Sequence, residues 1–114
     1  MSLSLEDLRS SRCKPMKGAE HALSVGEVGE RAGLLPGWAL SDDGKTISRD
    51  YKFKDFYRTM AFVNAVAYLA NEEDHHPDME VGYGHCLLRF TTHDVGGLSE
   101  NDFVMAAKVE GLTR

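Results

Sequence analysis

Four of the chain's five histidines fall between residues 75 and 93, and two of them, His75 and His76, are adjacent and followed at once by Pro77. Imidazole is the side chain that most readily gives and takes protons near neutral pH, so such a cluster points first to acid–base chemistry. Proline fixes its own φ and pushes the preceding residue toward an extended backbone. Pro77 would therefore hold the imidazole of His76 in a set direction. His93 ends a segment expected to run beside the chain after Pro77, so His75, His76 and His93 can meet at one end of a sheet. Metal binding fits less well. Adjacent residues of an extended chain point to opposite sides, which keeps His75 and His76 off one ion. His85 and His93 are eight residues apart, and no HExxH spacing occurs.

Plainer roles exist for the same residues. His75 follows the end of a helical pattern, where a histidine can simply answer the helix dipole. His93-Asp94 can be the polar start of a loop. Asp102 stands three residues after Ser99, close to a capping box with an acid at the third helical position. His85 reads as a solvent-facing strand residue and His21 as part of the N-terminal segment.

The elements that must position these residues follow from periodicity and end signals. Residues 1–22 are polar, interrupted by Pro15 and Gly18, and read as an arm preceding a single domain over residues 23–114. Ser24 with Glu27 predicts a capped helix to about Ala32, stopped by Gly33. Asp42-Asp43-Gly44-Lys45 lies between two strand-like runs and predicts a tight turn. The second run places Ile47, Tyr51 and Phe53 on one face, interrupted by Arg49, which suggests a short edge strand. Asp55 opens the clearest helix, with Phe56, Met60, Val63, Ala67 and Ala70 at three- and four-residue steps, widened by Phe62, Val66 and Leu69, to about Glu73. Two strands follow: residues 78–83, and a run in which Cys86, Leu88 and Phe90 share a face. Ser99 caps a last helix to about Glu110. No connection suits a parallel crossover. The expected fold is α+β, an antiparallel four-stranded sheet with helices packed on one face in a two-layer sandwich.

Composition narrows the function classes. The 114 residues suit one domain, and 13 Lys and Arg against 18 Asp and Glu give a net charge of −5 with no basic stripe. Direct nucleic-acid binding needs clustered cations, so it is not expected. No apolar run is long enough to cross a membrane, and the first residues lack the apolar core of a signal peptide. A cytoplasmic protein is expected. Cys13 and Cys86 show no metal spacing, and that compartment argues against a disulfide.

Taken together, His75-His76-Pro77, Tyr83, Thr92-His93-Asp94 and Gly97-Leu98-Ser99-Glu100-Asn101-Asp102 resemble the signature of the pterin-4a-carbinolamine dehydratases. The resemblance covers roughly residues 36–112 without a gap and includes the long helix entered by Phe53-Lys54-Asp55-Phe56. It implies the fold just read and a homodimer or homotetramer. It implies loss of water from 4a-hydroxytetrahydropterin to give the quinonoid dihydropterin, which recycles the cofactor of aromatic amino acid hydroxylases. The pterin is then the substrate, and no metal or organic cofactor is implied. By the family's pattern His75 and His93 form the acid–base pair, with Asp102 supporting an imidazole. His76, with Pro77 and Tyr83, falls to the substrate-binding side. One departure stands four positions before the first histidine: members usually carry an ionisable residue there, and this chain has Asn71. Two alternatives come with the resemblance. Some relatives serve molybdopterin metabolism, and animal members act as dimerisation partners of a homeodomain transcription factor.

Overall fold

Capping residues set where the helices begin. In the computed structural model, which describes residues 3 to 113, the helices are α1 Leu5–Ser10, α2 Val25–Ala32, α3 Phe56–Glu73 and α4 Glu100–Glu110. The outer ends of the expected arm and domain, residues 1, 2 and 114, lie outside the described residues. Ser24 and Glu27 bond reciprocally to each other's backbone N–H at the start of α2. The Asp55 side chain accepts from the Arg58 N–H at the start of α3. Each satisfies donors that the first helical turn leaves without partners.

The strands are β1 Ala39–Leu40, β2 Ile47–Lys52, β3 Asp78–Val81 and β4 His85–Phe90. They form one antiparallel sheet in the order β1-β2-β4-β3. The expected α+β fold with its four-stranded antiparallel sheet is thus present. The loop between β1 and β2 turns at Gly44, whose φ of 72° is left-handed, and is closed by Ser41 N–H to Thr46 O at 2.9 Å. On β4, Cys86, Leu88 and Phe90 are fully buried on one face, as their alternation indicated. The rings of Trp38, Tyr51, Phe53 and Phe62 pack around them.

Three expectations need correction. Strand β2 is interior, not an edge, because β1 lies outside it. The Arg49 that seemed to break its apolar face instead packs over the Tyr51 ring at 4.7 Å and pairs with Glu110 at 2.9 Å. A charge can stand on a core-facing position when its head is paired. On α3 the deepest stripe is Thr59, Phe62, Val66 and Ala70, rotated from the predicted one, and Phe56 is half exposed. Third, the polar N-terminal segment contains α1, opened by a Ser4–Asp7 capping box.

Helix α1 docks through one fully buried residue and a pair of hydrogen bonds. Leu8 is fully buried, and Arg9 and Lys108 exchange bonds with α4: Arg9 Nε donates to Ala107 O at 3.2 Å, and Lys108 Nζ to Arg9 O at 2.8 Å. This covers the outer side of α4, which is consequently buried almost all round. Leu8→Ala is expected to lower stability by about 2–5 kcal/mol, read as a shift in the denaturant midpoint. A change under about 0.5 kcal/mol would contradict the docking.

Candidate active site

Helix α3 ends at Asp74, a non-glycine residue with a left-handed φ of 54°, whose N–H bonds the Ala70 carbonyl in the last turn. The His75 N–H also donates to Ala70 O, at 3.2 Å. This reversal turns the His75 ring inward, where it stacks on Phe90 at 6.2 Å between centroids and 11° between planes. Only 12% of the His75 side chain is exposed.

His75 Nε2 lies 2.6 Å from Asp102 Oδ1, and Asp102 is completely buried. The other carboxylate oxygen, Oδ2, accepts from the Ser99 N–H at 2.9 Å and from Thr92 Oγ1 at 2.8 Å. One carboxylate therefore both caps α4 and contacts an imidazole. An ionised carboxylate can only accept. The His75 proton facing it accordingly sits on Nε2, and Nδ1 is left with no protein partner among the described residues. Nδ1 is the atom that can exchange a proton with a ligand.

Pro77 follows His76, is half-buried, and is not among the residues that line the histidine cavity. His76 is exposed, with Nε2 donating to Asn71 Oδ1 at 3.2 Å. The position that departs from the resemblance thus still orients a histidine, through a neutral amide. His93 begins a short 3-10 turn over His93–Val95, is exposed, and has no side-chain partner among the described residues. His75, His76 and His93 line one cavity of about 650 Å3, with Thr91, Thr92 and residues 13–17 of the arm. That volume suits a small organic ligand.

Tyr83 is not brought there. It is 70% exposed at the turn between β3 and β4, at the opposite end of that hairpin from His76 and Thr91. Its ring stacks on Phe56 and its carbonyl accepts from Thr59 Oγ1. The motif spacing was in register along the chain, but antiparallel pairing carries residue 83 away from the cavity. His85 pairs with Asp50 at 2.9 Å, and His21 lies in the arm. A second cavity, of about 700 Å3 between β2, α3 and the C-terminal turn, contains no histidine, and its charged groups are tied in pairs.

Cys13 also lines the histidine cavity, and its thiol is pushed up to about 12, chiefly by burial and then by the Glu73 carboxylate. It stays protonated at neutral pH and is no nucleophile. Labelling of Cys13 by a thiol reagent at pH 8 should run at least about a hundredfold slower than that of an exposed cysteine. Comparable rates would contradict this packing of the arm.

A small α+β scaffold thus brings a carboxylate–imidazole pair and two further imidazoles to a ligand-sized cavity. Comparison with known proteins bears on the fold and the family. The family model described as pterin 4 alpha carbinolamine dehydratase matches residues 21–112. A Stenotrophomonas maltophilia protein provisionally named a pterin-4-alpha-carbinolamine dehydratase is 54% identical over 106 residues, covering 93% of this chain and 91% of its own. A Nitrosospira multiformis protein of the same provisional name is 49% identical, covering 98% of this chain and 97% of its own. The crystal structure of a transcriptional coactivator/pterin dehydratase from Brucella melitensis superposes with a TM-score of 0.77 at 33% identity, over 81% of this chain and 98% of that one. A pterin dehydratase-like RuBisCO assembly factor of the alpha-carboxysome shares the fold, at 23% identity and a TM-score of 0.58. The chain belongs to the pterin-4a-carbinolamine dehydratase family.

Proposed function

We propose that the protein dehydrates 4a-hydroxytetrahydropterin to the quinonoid dihydropterin by histidine acid–base catalysis. The observation that carries the reading is the His75–Asp102 pair, which leaves Nδ1 with no protein partner among the described residues, in a residue that lines the same cavity as His93. In the elimination, the N5–H proton leaves to a base, its electron pair forms the C4a=N5 bond, and the 4a-hydroxyl departs as water after receiving a proton. Two groups in opposite protonation states are needed at once. We assign the base to His75. The buried Asp102 carboxylate stabilises the charge its ring acquires, and holds the tautomer with Nδ1 free. The acid is then His93, which reaches solvent and can be reprotonated there. His76, oriented by Asn71, is assigned to holding the pterin.

In this reading the protein works in the cytoplasm, returning cofactor to aromatic amino acid hydroxylases. No helix among the described residues is long and apolar enough to cross a membrane. A second copy is the partner we assign to the outer edge of β3, where Met79 and Val81 are exposed beside a backbone that pairs only with β4. The test is to mix the protein with freshly generated 4a-hydroxytetrahydropterin and follow absorbance. Dehydration that quickens in proportion to protein concentration supports the proposal, and a rate equal to buffer ends it.

A further inference from the structure

The N-terminal arm and the histidine cavity are joined at three places. The Cys13 N–H donates to Glu73 Oε1 at 2.8 Å, and Arg12 Nε pairs with Glu73 Oε2 at 2.7 Å, at the end of α3. The Asn101 side chain grips Lys14 from both sides, in the first turn of α4: Oδ1 accepts from Lys14 N–H at 3.0 Å and Nδ2 donates to Lys14 O at 2.6 Å. The Gly18 N–H donates to Asp94 O at 3.1 Å, in the turn after β4. Asn101 is only 5% exposed. These anchors stand beside His75, Asp102 and His93 in the chain, so the frame that sets the imidazoles also sets the arm. Lys14, held by its backbone, and Lys17 both line the cavity, and their side chains have no carboxylate partner among the described residues, whereas Arg12 is paired.

We infer that residues 14–17 form a specificity wall whose lysines read a neutral, hydroxyl-bearing substituent on C6 of the pterin. The inference rests on the dehydratase reading. C6 is bonded to N5, the atom that loses its proton, so a wall around the imidazoles also surrounds whatever C6 carries. An ammonium has three donors and no acceptor, so its ligand must offer oxygens. Hydroxyl and phosphate both do. Glu72, Asp74 and Asp94 line the same cavity and oppose an anion, which favours the hydroxyl.

Quenching of pterin fluorescence measures the affinity of oxidised pterins bearing a 6-methyl, a 6-dihydroxypropyl or a phosphorylated 6-substituent. The proteins compared are wild type, the double variant Lys14→Ala/Lys17→Ala and Asn101→Ala. Wild type is expected to prefer the diol over the methyl compound by about fivefold, with the phosphorylated compound weaker than the diol. Both variants should lose most of that preference, Asn101→Ala while keeping both lysines. Should Asn101→Ala misfold, the double variant, altered only at exposed residues, decides. Equal wild-type affinities, a preference for phosphate, or a ratio unchanged in the double variant overturns the inference. Turnover of 4a-hydroxytetrahydropterin by wild type separates the two claims. Activity with an unchanged ratio removes the wall alone, while neither binding nor turnover removes the wall and the dehydratase reading together.

Discussion

His93→Ala is expected to fold as wild type does and to lose roughly 10²–10⁴-fold in the rate of dehydration. The two halves of that result have separate grounds. His93 is exposed, and its turn is closed by backbone bonds alone, Val95 N–H to Thr92 O and Gly96 N–H to His93 O, each at 3.1 Å. Truncating such a side chain changes stability by no more than about 0.5 kcal/mol. The loss of rate follows from removing the group that protonates the departing hydroxyl. Full activity in a folded His93→Ala protein would take His93 out of the mechanism.

The second large effect separates stability from chemistry at one residue. Asp102→Ala leaves the Ser99 N–H, the Thr92 hydroxyl and the inner nitrogen of His75 without their buried acceptor. A cost of about 2–4 kcal/mol is expected, measured by chemical denaturation. Asp102→Asn keeps the shape. Its single amide oxygen is drawn to the two donors on the Oδ2 side, so the NH2 faces His75. The ring must then accept at Nε2, and its proton moves to Nδ1, the atom that should take the N5 proton. Asp102→Asn is therefore expected to stay folded and lose roughly 10²–10⁴-fold in rate. The tautomer change is readable in the imidazole nitrogen chemical shifts. An unchanged His75 tautomer with unchanged rate would refute the base assignment.

Much of the scaffold was legible because its signals are local. Asp55, Ser24 with Glu27, and Ser99 with Asp102 each mark a helix start within a few residues, and the alternation of Cys86, Leu88 and Phe90 marks a buried strand face. Helix α1 was hidden because six residues with one buried leucine give no periodicity to read. Arg49 misled because burial of a guanidinium depends on Glu110, which is 61 residues away. The site divides the same way. Pro77 and the paired histidines announce a constrained proton-handling loop. The contact of His75 with Asp102 spans 27 residues, so only the resemblance suggested it. The strands predicted on either side of Gly84 already put Tyr83 at their turn, and only the resemblance assigned it to the substrate side. Composition did not show that Asn101 would grip Lys14, because a two-way amide contact across 87 residues leaves no pattern in the chain.

The central claim is that two imidazoles act together in one elimination. The measurement that tests it most directly is the dehydration rate of 4a-hydroxytetrahydropterin with wild type, His75→Ala, His93→Ala and the double variant, in one assay with folding checked in each. Groups that act as a unit show non-additive losses. The account predicts clear acceleration by wild type and large losses in both single variants, with a double variant little worse than the poorer single. Losses that multiply in the double variant would contradict the paired mechanism, and a wild-type rate no faster than buffer would contradict the function.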